Sequence, residues 1–346
     1  MNGFDRTRDK LRPDAGIAMI YVAVFLLSFL WFASLAIDMG KLMATRTELQ
    51  RAADAAALAG ASALSPKTGL IVQDSARVRA AFTAAQNKAL QGGPTPVVID
   101  PQADVSFPNI RRVRVVVHRE AATGNPMTTI FARSVGINSL DVTAHATAEA
   151  QKLTSICEGL APFAPVDQPG GYSTSCDSLY NLKVGSGKSQ QGNFQLLDFP
   201  PCDEGPCAGI GGGAAAVKCY TEHGYGCCLE IGTEYVSTEP GNKVGPFKQS
   251  LQMRWDADTD KSSVCYQDYK GNRSRVFTVP IIESFDVNGK KLVRVKGFAA
   301  FFLRRPPGQG GQGSVAEGQF IEYVAPGEAG PSPPADSKVY GIHLVE

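Results

Sequence analysis

The sequence predicts an α+β protein whose single N-terminal transmembrane helix continues into a helical stalk, followed by a small α+β domain and a β-rich, disulfide-containing exported domain. Three observations support this class: one long uncharged apolar run, helix-forming residues directly after it, and eight cysteines confined to residues 157–265. The predicted parts are a cytoplasmic leader at 1–15, a transmembrane helix at 16–38, the stalk and small domain at 39–152, and the exported domain at 153–346.

The apolar run covers residues 17–37 and contains no charged side chain. A helix of about 20 residues rises ~30 Å, which matches the hydrocarbon core of a bilayer. A cleaved secretory signal is the alternative, but its apolar region is usually only about 7–15 residues long. A buried core helix fits less well, because such helices keep a polar stripe. The residues assigned to the membrane span are Ile17, Ile20, Val24, Leu27, Trp31 and Ile37.

Basic residues before the apolar run indicate its orientation. Arg6, Arg8, Lys10 and Arg12 precede the run. Lys and Arg are enriched on the cytoplasmic side of membrane segments, so the N-terminus is expected in the cytoplasm. Everything after Asp38 is then expected on the other side of the membrane.

Charge and motifs argue against nucleic acids and nucleotides as partners. The chain carries 34 Lys and Arg against 33 Asp and Glu, and no basic stripe with interleaved aromatic residues is present. Residues 184–189 (VGSGKS) imitate the end of a phosphate-binding loop. The full motif requires a glycine five residues before Gly187, and that position is Leu182.

The helical pattern continues through residues 38–64, which are rich in helix formers. Small and apolar residues recur there at heptad spacing on one face. Alanine lets another helix approach closely but buries little apolar area. This face is predicted either to contact a partner helix or to pack on the protein's own domain. Its residues are Leu42, Leu49, Ala52, Ala56 and Ala59.

The stretch from residue 15 to 64 resembles the start of TadG-like proteins, which belong to the bacterial Tad/Flp pilus-assembly system. The resemblance lies in the order and spacing of four segments: 16–18 (GIA), 36–40 (AIDMG), 47–50 (TELQ) and 52–61 (AADAAALAGA). It extends more loosely to about residue 150. Pilin-type precursors carry a Glu five residues after the glycine that opens the apolar span, whereas this chain has Tyr21 there.

The resemblance implies a membrane-anchored accessory or structural component of Tad (Flp) pilus assembly, or of a related secretion apparatus, that acts by protein–protein contacts. The implied partners are the inner membrane and other Tad pilus-assembly proteins or pilin-like helices. The chain would cross the inner membrane once, with its C-terminal body in the periplasm or outside the cell. An exported binding or adhesin-like module on a membrane anchor is the alternative function.

Local patterns predict the elements of the small α+β domain. A second helix is expected over residues 74–91, before Gly92, and strands are expected over 97–99 and 112–117. A short helix or turn is predicted over 128–134, and an alternating strand over 140–148.

The cysteines predict a disulfide framework for the exported domain. Compartments outside the cytoplasm oxidise thiols, so an even set of cysteines is expected to form bridges. The adjacent pair at 227 and 228 is not expected to bond to each other, because a vicinal bridge strains the backbone. Zinc is the alternative, but finger-like spacing is absent. The candidates are Cys157, Cys176, Cys202, Cys207, Cys219, Cys227, Cys228 and Cys265.

Strands in the exported domain are predicted over residues 193–197, 276–282 and 292–303, with a closing strand over 339–345. The adjacent Phe301 and Phe302 indicate that the third of these strands is buried on both faces near its end. Residues 306–313 (PPGQGGQG) are predicted to form a loop.

No motif predicts an enzyme, so no catalytic, cofactor-binding or metal-ligating residue is assigned and no cofactor is expected. Ser-His-Asp and Cys-His arrangements cannot be built from the sequence. Asp256, Asp258 and Asp260 have the order in which a calcium loop begins, but Lys261 replaces the required glycine and Gln267 the required glutamate. A solvated acidic loop is expected there, with a looser surface calcium site as the alternative.

Overall fold

The computed structural model describes residues 14–65, 69–91, 93–184, 193–232, 235–239, 243–283, 290–305, 308, 316–330 and 337–345. The chain forms two compact units. Unit 1 comprises residues 1–56, 80–105 and 115–146, and unit 2 comprises residues 57–79, 106–114 and 147–346.

Helices and strands alternate irregularly along the chain, as expected for the α+β class. The helices are α1 (Asp14–Ala61), α2 (Gln73–Gln86), α3 (Ala214–His223) and α4 (Val244–Asp256). The strands are β1 (Lys88–Leu90), β2 (Pro94–Pro96), β3 (Val105–Asn109), β4 (Arg112–Arg119), β5 (Met127–Thr128), β6 (Ser139–Leu140), β7 (Val142–Ile156), β8 (Phe163–Pro165), β9 (Tyr180–Val184), β10 (Asn193–Asp198), β11 (Leu229–Glu230), β12 (Tyr235–Thr238), β13 (Val276–Ile282), β14 (Leu292–Leu303), β15 (Ala316–Ile321), β16 (Tyr323–Val324), β17 (Glu328–Ala329) and β18 (Val339–Leu344).

The first helix, α1, has 48 residues and no proline. At 1.5 Å per residue it is about 70 Å long, more than twice the thickness of a hydrocarbon core. Among the described residues it is the one helix that is long and apolar enough to cross a membrane, and the protein buries none of its most apolar stretch. The predicted long N-terminal apolar helix is therefore confirmed, and α1 is a candidate membrane anchor.

Within the described residues, the strands form two seven-stranded sheets and two small two-stranded sheets. In one large sheet the order is β12-β10-β9-β15-β14-β13, β8 pairs with β10, and a further β12–β14 pairing makes a closed ring of paired strands. In the other the order is β16-β18-β7-β4-β3, and β11 and β17 also pair with β7. The antiparallel β13–β14 pair places Val276 opposite Phe302.

A buried arginine fixes the short β1–β2 pair of unit 1. The Arg119 Nη2 atom donates hydrogen bonds to the carbonyl oxygens of Ala89, Thr95 and Pro96 at 3.1, 2.8 and 3.1 Å. Burial lowers the pKa of Arg119 below its ordinary value, and the nearby Glu48 carboxylate opposes that shift. Two strands of three residues can form only a few backbone hydrogen bonds with each other. The Arg119 guanidinium adds hydrogen bonds to their carbonyl groups and so holds the pair together.

Aromatic packing forms an apolar core in unit 2. The Phe163 ring lies 5.7, 5.1 and 5.6 Å, centroid to centroid, from the rings of Phe194, Phe247 and Phe277. Such tilted and edge-on pairs stabilise a core beyond the area they bury. Phe301 and Phe302 at the end of β14 are both fully buried, which confirms that this strand is covered on both faces there.

All eight cysteines form disulfides, and all four bridges lie in unit 2. The pairs are Cys157–Cys228, Cys176–Cys265, Cys202–Cys227 and Cys207–Cys219. The adjacent Cys227 and Cys228 therefore bond to different partners, as expected. Each bridge of this kind typically contributes about 2–4 kcal/mol, chiefly by restricting the unfolded chain.

Several predicted strands are confirmed with small changes of boundary. The strands predicted at 276–282 and 292–303 are β13 and β14 without change. Those predicted at 193–197 and 339–345 become β10 and β18, and the one predicted at 112–117 becomes β4. Long runs of β-branched and aromatic residues carry these predictions.

The predictions for residues 74–91 and 97–99 are wrong in part or in full. The helix predicted over 74–91 ends at Gln86, because Asn87 turns the chain: its amide donates to the Ala84 carbonyl and its side chain to the Thr83 carbonyl. The strand predicted over 97–99 is absent, and β2 forms over Pro94–Pro96 instead. Arg119 accounts for the shift, since it binds the carbonyl groups of β2.

Two further segments differ from the prediction at their ends. The segment predicted at 128–134 as a helix or turn begins in β5 and includes a 3₁₀ turn at Ala132–Val135. The strand predicted at 140–148 is β7, which starts at Val142 and continues to Ile156. Its extra residues pair with β18, for example Lys152 with Tyr340.

The sequence did not predict α3 and α4 in the domain expected to be β-rich. Glycines precede α3 and a cysteine lies within it, and neither residue type favours a helix. Pro246 lies in the first turn of α4, where proline is tolerated. The buried Phe247 and Leu251, four residues apart, are a helical signal that could have indicated α4.

The phosphate-loop-like sequence at 184–189 and the loop predicted at 306–313 lie mostly outside the described residues. Residues 185–192, which hold most of the phosphate-loop-like sequence, lie outside the described residues. The same is true of the predicted loop at 306–313, apart from Gly308.

A buried ion pair organises the acidic run of unit 2. Asp258 and Arg275 form a salt bridge of 2.7 Å, and both side chains are fully buried. The guanidinium also donates to the carbonyl oxygens of Ser263 and Leu303, and lies 4.7 Å from the Trp255 ring centroid. The donors and the planar face of the guanidinium are therefore all in contact with the protein.

Asp260 is bound by the turn that follows it. Its oxygens accept hydrogen bonds from the hydroxyl groups of Ser262 and Ser263 and from the backbone amide of Lys270. These bonds, led by the one from Ser263, hold the pKa of the Asp260 carboxyl well below its ordinary value. Asp258 and Asp260, two of the three carboxylates of the run, are thus bound by the protein's own chain.

Replacing one member of the buried pair should destabilise unit 2 strongly. Asp258→Ala leaves Arg275 buried and uncompensated, so the free energy of unfolding should fall by roughly 3–5 kcal/mol. Guanidinium titration in detergent, with disulfides intact, measures this in a Trp31→Phe background, where Trp255 is the remaining tryptophan.

The matched control is Asp256→Ala, from the same acidic run. Asp256 is exposed, so the loss should stay within about 0.5 kcal/mol. Equal losses for the two variants would contradict the assigned role of the pair. Destabilisation of the unsubstituted protein by a calcium chelator would instead support the calcium alternative.

Candidate membrane-proximal site

A single carboxylate follows the apolar run of α1. Asp38 comes directly after Ile37 and is only 3% exposed. Its Oδ1 atom accepts a hydrogen bond from the Ile130 amide at 2.7 Å, and its Oδ2 atom accepts from the amides of Phe131 and Ala132 at 2.9 and 2.6 Å. Three consecutive backbone amides therefore bind one side chain, as at a capped helix terminus.

Lys41 adds a second tie, one helical turn beyond Asp38. Its Nζ atom donates to the carbonyl oxygen of Thr128 at 2.5 Å and lies 3.3 Å from the Thr128 hydroxyl. That hydroxyl in turn donates to the carbonyl oxygen of Gln91. An acid and a base spaced three apart on α1 thus hold the same short segment.

The segment held by Asp38 and Lys41 is a hairpin. Its base is the antiparallel pair β5–β6, in which Met127 lies opposite Leu140. Between the strands, the Thr129 hydroxyl donates to the Ile137 carbonyl. Gly136 has a φ of 89°, a left-handed conformation that glycine adopts without strain. The hairpin is therefore closed by its own bonds as well as by α1.

The end of this hairpin is apolar and uncovered. Residues 130–137 (IFARSVGI), called here the apolar tip, contain one cation, Arg133, and no acid. Its four large apolar side chains are between 40% and 54% exposed. They are Ile130, Phe131, Val135 and Ile137.

A groove lies in unit 1 between α1 and the hairpin. Its volume is about 650 Å³, and its walls are Gly40, Lys41, Ala44, Leu90, Thr128, Thr129, Ile130 and Arg133. Small residues of α1 line one side, so the helix backbone is accessible there.

Further along, the stalk is tied to unit 1 by two more side chains. The Glu48 carboxylate accepts a hydrogen bond from the Leu90 amide at 2.8 Å. The Gln50 side chain donates to the His145 carbonyl at 2.9 Å and to the Asp54 carboxylate at 2.8 Å. Between positions 38 and 50, α1 is therefore an integral part of unit 1.

The face predicted for a partner helix is mostly covered by the protein itself. Leu49, Ala52 and Ala56 are fully buried, while Leu42 and Ala59 are half-buried. A partner cannot reach the first three without displacing the protein's own chain. For those three residues this burial favours the alternative prediction, in which the face packs within the protein.

The residues assigned to the span have the opposite environment. All six are between 50% and 64% exposed along α1, and they are Ile17, Ile20, Val24, Leu27, Trp31 and Ile37. A helix that is apolar on every side and uncovered by protein is typical of a membrane span.

The structure brings no metal-binding group together in the part of the chain that it describes. There, no cluster of three or more His, Cys, Asp or Glu side chains could hold an ion. The carboxylates of Asp258 and Asp260 make the internal bonds given above.

Sequence reasoning missed the apolar tip and its attachment. Asp38 was placed at the end of the span and within a segment of the family resemblance, and residues 128–134 were predicted as a short helix or turn. Two signals could have indicated the site: an acid directly after an apolar run, and an apolar loop with a cation and no acid. Neither signal indicates that Asp38 binds the backbone amides of residues 130–132.

Comparison with known proteins agrees with the resemblance seen in the sequence. Residues 16–63 match a family model described as putative Flp pilus-assembly TadE/G-like. The TadG-like resemblance predicted for residues 15–64 is therefore confirmed over that segment, which includes Asp38 and Lys41. No curated protein and no solved structure matches the chain.

Removing the Asp38 carboxylate should loosen the hairpin. In Asp38→Ala the amides of residues 130–132 lose a charged acceptor, so their hydrogen exchange should accelerate about tenfold or more. Hydrogen–deuterium exchange of the full chain in detergent micelles measures this.

Asp54→Ala is the matched control, because Asp54 lies on the same helix and its oxygen is bonded to Gln50. Exchange at residues 130–132 should be unchanged in that variant. Unaltered exchange in Asp38→Ala would show that the carboxylate does not hold the hairpin.

Proposed function

We propose that this protein is a membrane-anchored accessory component of Tad (Flp) pilus assembly, or of a related secretion apparatus, and that it acts through protein–protein contacts. One observation carries the proposal: the segment that matches the TadE/G-like family model contains a helix whose apolar part is left uncovered by the protein. The family description supports a role in Tad pilus assembly, and the exposed apolar helix supports attachment to a membrane.

In the proposed topology α1 crosses the inner membrane once, with the N-terminus in the cytoplasm. The basic residues at positions 6, 8, 10 and 12 support this orientation. The four disulfides of unit 2 support a location in the periplasm or outside the cell, because thiols remain reduced in the cytoplasm.

Partner helices are proposed to contact the exposed side of the stalk rather than its buried alanine face. Beyond the span, α1 exposes a strip that includes cations and small residues. The strip consists of Met43, Ala44, Arg46, Thr47 and Arg51. Pilin-like helices and other Tad assembly proteins are the proposed occupants of this strip.

A role without catalysis is part of the proposal. All eight cysteines are in disulfides, so none is available as a nucleophile. The sequence also lacks an arrangement typical of serine or cysteine hydrolases.

An exported binding module is the second candidate, and a cavity in unit 2 favours it. Its volume is about 770 Å³, and its walls include Glu158, Glu204, Glu222, His223 and Arg254. Burial lowers the pKa of Arg254 to about 10. Its guanidinium donates to the carbonyl oxygens of Ser274 and Val276 at 2.7 Å each. These donor groups therefore stabilise the fold.

A charge in the middle of the proposed span should abolish anchoring. Leu27→Arg places a guanidinium where insertion costs about 2.5–3.5 kcal/mol, and this should move the protein from the carbonate-resistant membrane fraction to the soluble or degraded fraction. Immunoblotting of fractionated cells measures the distribution.

Met43→Arg is the control substitution, because Met43 is as exposed as Leu27, at 64% against 60%, yet lies beyond the span. It should leave the protein in the membrane. Equal membrane retention of both variants would argue against the assigned span.

Loss of the protein should impair the pilus system. Deleting the gene in a bacterium with Tad pili should reduce the number of surface pili counted by electron microscopy. A copy encoding the unsubstituted chain should restore them, and Leu27→Arg should not. Normal pili on the deletion strain would contradict the proposed function.

A further inference from the structure

We propose that the apolar tip, residues 130–137, is a second membrane contact that inserts into the interfacial layer of the same bilayer that α1 crosses. This inference rests on the proposed anchoring of α1. The tip would dip its apolar side chains among the lipid headgroups and upper acyl chains, without spanning the membrane.

The depth of the tip follows from its bonds to α1. The uncharged run of residues 17–37 is about 30 Å long, equal to the hydrocarbon core, so little of it can leave the lipid. Asp38 follows immediately, and its carboxylate is within 3 Å of the amides of Ile130, Phe131 and Ala132. The backbone of the tip is therefore at the level where the span ends.

The chemistry of the tip suits that level. Ile130, Phe131, Val135 and Ile137 expose apolar surface that is costly to leave in water. Arg133 is exposed among them, and an arginine can keep its charge at lipid phosphates while its stem stays in an apolar layer. An acid within the tip would oppose such contact, and the tip has none.

The hairpin also has the rigidity that insertion requires. Met127 at its base is fully buried, β5 pairs with β6, and Lys41 binds Thr128. Because the backbone is already ordered, contact with lipid would order few additional residues. Two attachments, one spanning and one interfacial, would set the tilt and rotation of unit 1 against the membrane.

Lipid is favoured over a protein partner because the tip is held beside the end of an anchor. A partner would have to compete with lipid for a surface that the Asp38 bonds already bring to the interface. A partner-covered tip is a distinct outcome of the test, since lipid quenchers would then not reach it.

Quenching by brominated lipids tests the inference. The full oxidised chain carries Trp31→Phe, so that Trp255 of unit 2 provides a constant background, together with Phe131→Trp. It is reconstituted in phosphatidylcholine–phosphatidylglycerol vesicles whose acyl chains are brominated near the headgroup or near the bilayer centre. The added indole should be quenched more by the shallow bromines than by the deep ones.

Two variants in the same background make the result decisive. Phe82→Trp changes another exposed phenylalanine of unit 1, on α2, and should add no quenching to the background. Leu27→Trp, within the proposed span, should be quenched most by the deep bromines.

The possible failures are distinguishable. If the Leu27→Trp indole is quenched but the Phe131→Trp indole is not, the tip contacts water or protein and the inference is overturned, while anchoring stands. If neither is quenched, the proposed anchoring fails and the inference fails with it.

Discussion

The Asp38 carboxylate is the constraint on which unit 1 depends. It ends the uncharged apolar part of α1, and in the proposed topology a charged carboxylate would be costly in hydrocarbon beyond that point. The same group accepts hydrogen bonds from three amides of a hairpin more than 90 residues away in sequence. One side chain therefore defines both the end of the apolar segment and the position of the hairpin. Lys41 and Glu48 extend this attachment along the stalk.

Unit 2 contains many loops and is stabilised in a different way from unit 1. Four disulfides connect segments that secondary structure alone would hold weakly, and a buried Arg275–Asp258 pair anchors the acidic run. Aromatic side chains from β8, β10, β13 and α4 complete one core around Phe163. The bridges require an oxidising compartment, so the stability of unit 2 is coupled to the proposed export.

Prediction and structure agree where an element is determined by neighbouring residues, and they differ where it depends on contacts between residues distant in sequence. Strands β13 and β14 were predictable because long apolar runs with β-branched and aromatic residues favour one local state. Helix α3 was not, since glycines precede it and its stability comes from packing, including contact with α4. Strand β2 depends on Arg119, which local propensity does not include.

The sequence by itself determined the uncharged helix at residues 17–37, its family resemblance and the presence of a disulfide framework. Composition and spacing over neighbouring residues are sufficient for these. Only the tertiary structure decided that Leu49, Ala52 and Ala56 are covered by the protein, which cysteines pair, and that Asp38 binds the apolar tip. These outcomes depend on contacts between residues far apart in sequence, and such contacts leave no periodic or compositional mark.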